Sequence, residues 1–123
     1  MSKRPVNLNL LTISFPLTAI ASILHRISGF FLFLVIPVFL GLVAVSLNSP
    51  EGFFTVHNCL THPLNKLLVL AFLFALFYHL FAGLRHLLMD AGVAEELKPA
   101  RWSAGLIIVL AVLLTGLMGI YLW

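Results

Sequence analysis

Three long apolar stretches alternate with short polar segments along this 123-residue chain. They run roughly over residues 27–47, 64–89 and 103–123, and each has the ~20 residues that a helix needs to cross a bilayer. Turn-forming residues at 48–52 end the first stretch, and Ser103 is the expected N-cap of the third. The pattern predicts an all-α membrane protein with three transmembrane helices.

The first helix is expected to start before its apolar stretch, near Thr18 and just after Pro16. The segment between residues 48 and 63 is predicted to be a loop at the other end of the bundle. His57, Cys59 and His62 are therefore interpreted as ordinary loop residues, because loops vary most freely in sequence.

Composition supports one integral membrane domain over residues 1–123. The chain is 62% hydrophobic and 9% charged, with a mean hydropathy of +1.14, which excludes the soluble globular class. The formal net charge of +3 is spread over the polar segments. There is no basic run to bind phosphate, so a nucleic-acid partner is excluded.

The positions of the cations predict the orientation. Six of the seven lysines and arginines flank one side of the predicted bundle, and only Lys66 flanks the other; the six are Lys3, Arg4, Arg26, Arg85, Lys98 and Arg101. Cytoplasmic loops of membrane proteins carry the excess of such residues, so the N-terminus is predicted to be cytoplasmic. No cleavable signal or transit peptide is evident, which favours a multi-pass protein of a bacterial inner membrane.

His79 lies deep in the second apolar stretch. An ionisable side chain there costs several kcal/mol unless it is paired, ligated or turned to a polar cavity, so it is a functional hypothesis by default. It suits a metal or haem ligand, a proton relay or an interhelical hydrogen bond. At 100° per residue, His79, Gly83, His86 and Asp90 share a sector of about 60°. Gly83 leaves room there for a flat cofactor or for a packed helix.

A second polar face lies on the first helix, at about the depth of Arg85 and His86. It spans a sector of about 100° and consists of Ser22, His25, Arg26 and Gly29. Cations at this depth also occur simply as interfacial anchors. Haem, however, needs an imidazole in an apolar slot and cations at the edge for its propionates, which these two faces offer. Only one histidine is deep, and a six-coordinate electron-transfer haem needs two axial ligands, so the second has to come from another chain or from a second copy of this one.

The third stretch carries no ionisable group. Small residues recur along it at helical spacing, at Ala104, Ala111, Thr115 and Gly119. Such a stripe lets helix backbones approach closely, and it is expected to pack against a helix of a partner subunit.

These motifs together resemble the cytochrome b subunit of succinate dehydrogenase, the larger membrane anchor of succinate:quinone oxidoreductase. The resemblance rests on three segments: Arg4-Pro5-Val6-Asn7-Leu8, Ser22-Ile23-Leu24-His25-Arg26-Ile27-Ser28-Gly29, and His79-x3-Gly83-x-Arg85-His86-x3-Asp90. It covers nearly the whole chain.

The resemblance implies a fold of three spans packed with a second membrane-anchor subunit. It implies one haem b shared with that subunit, with His79 as one axial ligand, and His25, Arg26, Arg85 and His86 in the region of the haem propionates. Ser22 and Arg26 would belong to the site that reduces ubiquinone. The further partners would be an iron–sulfur subunit carrying the clusters and a flavoprotein subunit carrying FAD, with lipid around the spans.

Two alternatives stay open. One is a fumarate reductase-type anchor that oxidises menaquinol, although relatives of that type that carry haem have several intramembrane histidines on one chain. The other is a haem-free anchor in which the polar residues only join helices. A small transporter is disfavoured, because no inverted repeat and no mid-membrane acidic residue is present.

Overall fold

The computed structural model describes residues 15–93 and 96–123, and within these ranges the regular structure is entirely helical. The four helices are α1 (Leu17–Asn48), α2 (Pro50–Thr61), α3 (Pro63–Asp90) and α4 (Leu97–Leu122). Three of them, α1, α3 and α4, are long and apolar enough to cross a membrane. The prediction of an all-α protein with three transmembrane helices is confirmed. Lys3, Arg4 and the Arg4–Leu8 run lie outside the described residues.

Helix α1 begins at Leu17, directly after Pro16, as the sequence predicts. Pro16 has an extended conformation, and its carbonyl accepts hydrogen bonds from the amides of Ala19 (2.9 Å) and Ile20 (3.2 Å). The first turn is thereby closed without a side-chain cap. The early start matters because it places the polar face of Ser22 to Gly29 on a helix.

The prediction of a loop over residues 48–63 is wrong, because most of this segment forms α2. Ser49 is its N-cap, and its hydroxyl accepts a hydrogen bond from the Gly52 amide at 3.0 Å. Pro50 at the first helical position and Glu51 in the first turn complete a normal helix start. His57 and Cys59 are exposed on α2.

Ser103 is not the N-cap of the last helix. Helix α4 begins at Leu97 with Glu96 as its N-cap, and Ser103 lies inside it. Pro99 does not prevent this earlier start, since the first turn of a helix has no use for the missing N–H. The Ser103 hydroxyl donates instead to the Ala100 carbonyl at 3.1 Å.

Helix α3 is central and packs against each of the other helices. It runs antiparallel to α1 and α4, because its C-terminal part meets the N-terminal parts of both. At the opposite end, the rings of Phe39 and Phe72 stack at 4.7 Å, and Lys66 Nζ donates to the Leu122 carbonyl at 2.7 Å. Lys66 thus caps the C-terminus of α4, where a cation is favourable.

The buried core joins α1, α3 and α4 and is rich in alanine. Its members are Ala21, Tyr78, Ala82, Ala104, Ile107 and Ala111. Two stripe residues, Ala104 and Ala111, are therefore covered by this chain's own helices, and a Cβ on Gly119 would meet Leu70 of α3 at 3.6 Å. The stripe is a packing surface for another helix, as expected, but that helix is α3 of this chain and not one of a partner subunit.

Candidate functional site

The polar residues of α1 meet the polar residues of α3 at one end of the bundle. The ring of His79 lies against α1, where its Nδ1 is 3.2 Å from the Ser28 hydroxyl oxygen and 3.2 Å from the His25 carbonyl oxygen. Ser28 is buried and His79 is half-buried. The deep histidine therefore has fixed polar partners, which offsets part of the cost of placing it in the bilayer.

These contacts determine the tautomer of His79. The Ser28 hydroxyl donates to the His25 carbonyl at 2.8 Å, so its hydrogen is not available to the imidazole. The His25 carbonyl can only accept, and therefore Nδ1 carries the proton and donates to both oxygens. The remaining nitrogen, Nε2, is left with a free lone pair. Within the described residues it forms no hydrogen bond.

Three imidazoles form a stacked column at this place. The ring of His25 lies between the other two, with centroids 4.3 Å from His79 and 5.0 Å from His86, and with interplanar angles of 25° and 20°. The His86 Nδ1 donates to the Ala82 carbonyl at 2.6 Å. Stacked rings do not converge on one point, and no group of three ligands that could hold a metal ion occurs in the part of the chain that the structure describes.

Two glycines make this close approach possible. A Cβ added to Gly29 would lie 2.8 Å from Cε1 of His79, which is closer than real Cβ atoms come to their neighbours. A Cβ on Gly83 would lie 3.3 Å from Nε2 of His25. Each helix thus offers a glycine to the histidine of the other. The sequence pattern suggested a packed helix or a cofactor over Gly83, and the structure places the His25 ring there.

His79 also borders a groove that is built entirely from α3. Its volume is about 390 Å³, and the lining residues are His79, Leu80, Phe81, Gly83, Leu84 and Leu87. Leu80, Leu84 and Leu87 are more than half exposed in this chain alone. The groove therefore lies on an outer face of the bundle and offers one imidazole within apolar walls.

Ser22 and Arg26 lie one turn apart on α1, at the same end as the histidine column. Ser22 is half-buried and Arg26 is exposed. Both polar side chains are therefore accessible to a molecule that binds over the N-terminal part of α1.

Arg85 is not brought to the histidine column. It is only 6% exposed, and its guanidinium donates from Nε to the Ser103 hydroxyl at 2.9 Å and from Nη2 to the Ala100 carbonyl at 3.1 Å. Both acceptors belong to α4. Arg85 thus joins α3 to α4, whereas His79 and His86 face α1. Asp90 is exposed at the last residue of α3.

Two polar residues of the α1–α3 contact were missed by the sequence reasoning. Ser28 was quoted in the motif without a role, and Tyr78, whose hydroxyl donates to the Ala21 carbonyl at 2.8 Å, was counted as apolar. Ser28 lies about 60° around the helix from His25, outside the sector that sorted the other polar residues. The only signals in the sequence were that Tyr78 directly precedes the deep histidine and that Ser28 is a polar residue within an apolar stretch.

Architecture and site together define a multi-span membrane subunit with a polar cluster shared between two helices. The chain belongs to the succinate dehydrogenase/fumarate reductase transmembrane subunit family, whose model matches residues 1–118. Within that family it is of the succinate dehydrogenase cytochrome b type. Such subunits are parts of an enzyme complex and are not themselves catalytic.

Three relatives illustrate the likeness. The succinate dehydrogenase cytochrome b556 subunit of Coxiella burnetii is 44% identical over 99% of this chain and 98% of its own length. That of Paracoccus denitrificans is 34% identical over 90% of this chain and 85% of its own. The cytochrome b560 subunit of Reclinomonas americana is 36% identical over 91% and 81%. The family resemblance inferred from the motifs is confirmed.

Proposed function

We propose that this chain is the haem b-binding membrane anchor of a succinate:ubiquinone oxidoreductase. His79 would hold the haem iron through a ring nitrogen, and a second membrane-anchor subunit would supply the other ligand. Ser22 and Arg26 form part of the site that reduces ubiquinone, and the same end of the bundle docks the iron–sulfur and flavoprotein subunits. Membrane lipid surrounds the remaining apolar surface.

The free Nε2 of His79 is the observation that carries this proposal. An imidazole that ligates iron usually donates its other N–H to a carbonyl, carboxylate or hydroxyl, which fixes the ring and raises its basicity. His79 is held in this way by Ser28 and His25 before any ligand binds. The groove beside it has the apolar walls that haem requires, so the residues present fit haem b.

The groove also explains why a second subunit is needed. All its lining residues belong to α3, so this chain covers only one side of a flat ligand. One imidazole leaves the sixth iron position of an electron-carrying haem to another chain. When bound, haem b supplies a one-electron carrier. His25 and His86, stacked beside His79, provide polar groups for the propionates.

Ser22 and Arg26 suit the binding of a quinone head group. A hydroxyl donates a hydrogen bond to a quinone carbonyl, and a fixed positive charge favours the oxygen that gains negative charge on reduction. Their position at the end of α1 gives access to water, which must supply the two protons that accompany two electrons. Arg26 is exposed here, and an approaching iron–sulfur subunit would cover it.

The distribution of cations between the two ends of the bundle indicates how the chain is oriented in the membrane. Arg26, Arg85, Lys98 and Arg101 gather there, and Lys66 lies at the other end. The end with the cations is cytoplasmic by the positive-inside rule, as expected for a complex that meets soluble succinate. The bacterial inner membrane is the corresponding location.

The reduced-minus-oxidised spectrum of the purified complex tests the haem assignment. In His79→Ala the low-spin spectrum of a bis-imidazole haem is expected to disappear. His57→Ala, which changes an exposed histidine of α2, is the matched control and should leave the spectrum unchanged. A normal low-spin spectrum in His79→Ala would contradict the assignment. A wild-type complex without haem would favour the haem-free anchor.

Quinone activity tests the second part of the proposal. Loss of a donor aimed at developing negative charge costs about 2.7–4 kcal/mol, or 100-fold to 1000-fold in rate, in a preorganised site. Ser22→Ala and Arg26→Leu should approach this loss in succinate–quinone turnover. Succinate oxidation with an acceptor that takes electrons from the upstream cofactors should persist.

Ser46→Ala and Arg101→Leu are the controls for these two variants. Ser46 is half-buried near the other end of α1, and Arg101 is exposed on α4 at the same end of the bundle as Arg26. If the quinone variants keep full activity, Arg26 is an interfacial anchor and the quinone binds elsewhere. If both activities fall in an intact complex, the residues serve assembly.

A further inference from the structure

We propose that Ser28 is a positioning residue that sets the reduction potential of the haem iron through the Nδ1 hydrogen of His79. This inference rests on the proposed ligation of iron by His79. It concerns a side chain that does not itself line the haem groove and that has no role in the proposed quinone site. Its role is to hold the ligand and to adjust how strongly that ligand donates electrons.

The geometry identifies the hydroxyl as an acceptor toward the ring. Ser28 Oγ donates its only hydrogen to the His25 carbonyl at 2.8 Å, so a lone pair faces the imidazole nitrogen at 3.2 Å. The hydroxyl is polarised by that donation, because hydrogen bonds in a chain strengthen one another. Ser28 is only 8% exposed, and burial protects this chain of bonds from exchange with water.

Ser28 and Gly29 act on the ring from neighbouring positions of α1. Gly29 leaves the space that the imidazole occupies, since a Cβ there would come within 2.8 Å of Cε1. Ser28 and the His25 carbonyl then fix the rotation of the ring by engaging Nδ1. The residue that donates to the metal and the residues that orient it thus lie on different helices, α3 and α1.

The expected direction of the effect follows from ligand basicity. A hydrogen bond from Nδ1–H to an acceptor increases the electron density on the ring and strengthens the bond of Nε2 to iron. The oxidised iron gains more from a stronger donor than the reduced iron does, so the acceptor lowers the potential. Removing the Ser28 hydroxyl should therefore raise the midpoint potential.

Potentiometric titration of the assembled complex measures this shift. In Ser28→Ala the Nδ1 hydrogen keeps the His25 carbonyl as its acceptor, so no buried donor is orphaned and the complex should assemble. The ratio of reduced to oxidised haem at a fixed ambient potential should rise by up to about tenfold, which corresponds to ~59 mV for one electron. The g values of the oxidised haem in electron paramagnetic resonance should change with it.

Ser28→Thr is the conservative variant that separates the hydroxyl from mere packing. Ser28 lines a cleft of about 310 Å³ between α1, α3 and α4, whose apolar walls have room for the added methyl group. The threonine complex should return to the wild-type potential. Thr115→Ala is a matched control, because that hydroxyl bonds only the Ala111 carbonyl of its own helix in the described structure.

Each outcome distinguishes this inference from the proposed function. A low-spin spectrum that survives His79→Ala overturns the ligand assignment and the inference with it. If His79→Ala loses the spectrum but Ser28→Ala keeps the wild-type potential and g values, only the inference is overturned. Loss of haem in Ser28→Ala with retention in Ser28→Thr supports it, and equal loss in both variants counts against it.

Discussion

The two faces of α3 are packed by different means. Toward α4, the contact consists of small and apolar residues such as Ala104, Ile107 and Ala111, with one arginine whose donors are engaged. Toward α1, the imidazole rings of His25 and His79 stack on each other and lie over glycines. The buried Ser28 is within hydrogen-bond distance of His79. Both contacts are made by α3 in the same apolar environment. The difference between them therefore reflects the role of each contact and not its surroundings.

The α4 face is joined by close packing of small residues together with one arginine. Small residues let backbones approach, and van der Waals contact then stabilises the pair beside the hydrogen bonds of Arg85. The α1 face includes ionisable groups that are expensive in a bilayer. Because the α4 face contains only one such group in the described structure, we propose that the cluster of imidazoles on the α1 face carries the chemistry. The following predictions test whether the two faces separate as described.

The largest effect is expected from filling the space under His79. In Gly29→Ala the new Cβ would meet Cε1 at 2.8 Å, and the ring is held by Ser28 and His25 and cannot move away freely. Overpacking of this kind typically costs about 1–3 kcal/mol. The haem content of the purified complex should fall severely, as measured by the pyridine haemochrome assay.

Gly41→Ala and Gly116→Ala are the matched controls for this variant. Both glycines lie inside helices, and an added Cβ at either has no described neighbour within 4 Å. These variants should keep full haem content, and alanine should favour the helices by about 0.5–1 kcal/mol. Normal haem binding in Gly29→Ala would show that the approach of His79 to α1 is not needed.

An intermediate effect, confined to stability, is expected from the α4 face. In Arg85→Leu the two hydrogen bonds from the guanidinium to the Ser103 hydroxyl and the Ala100 carbonyl are lost, and a hydrogen bond of a charged group contributes about 1.5–3 kcal/mol. Thermal unfolding of the detergent-solubilised complex should therefore begin at a lower temperature, while the haem spectrum stays unchanged. Arg85→Lys should lose less, because one ammonium can still reach one acceptor.

Arg101→Leu provides the comparison for Arg85, because its side chain is exposed on the same end of the bundle. It should leave the unfolding temperature almost unaffected. The sequence placed Arg85 near the haem propionates. A spectral change in Arg85→Leu without a loss of stability would support that placement and would break the division between the two faces.

The smallest effect is expected at Gly83. A Cβ there would meet Nε2 of His25 at 3.3 Å, so the neighbouring ring has to give way by only a few tenths of an ångström. Gly83→Ala should keep the haem and shift its absorption maximum slightly, as seen in a low-temperature difference spectrum. Gly83 also lines the groove proposed for haem, so a loss as severe as that of Gly29→Ala would mean that the cofactor approaches the backbone there too closely to admit a methyl group.

Much of the fold could be predicted because the bilayer imposes helix length and polarity. The three spans and the depth of His79 follow from counting apolar residues. Helix α2 was missed since its polar composition matches a loop, and its start signals at Ser49, Pro50 and Glu51 were read only as the end of α1. Those signals define a helix N-terminus as well as a turn.

The site was predicted in part, and the limits are geometric. Helical angles correctly grouped His79 with His86, and the same angles place Arg85 about 120° away from His79, toward a different neighbour. The angles cannot say which helix lies on which side, so the partners Ser103 and Ser28 were not predictable. Nor does a sequence pattern show that the His25 ring fills the space above Gly83.

The most direct measurement is an experimental structure of the complete complex in the membrane or in detergent. The account predicts that Nε2 of His79 coordinates the haem iron, while Nδ1 remains within hydrogen-bond distance of Ser28 Oγ and the His25 carbonyl oxygen. The sixth ligand should belong to the second membrane-anchor subunit. Coordination by His25 or His86, or a His79 ring turned so that Nε2 faces Ser28, would contradict it.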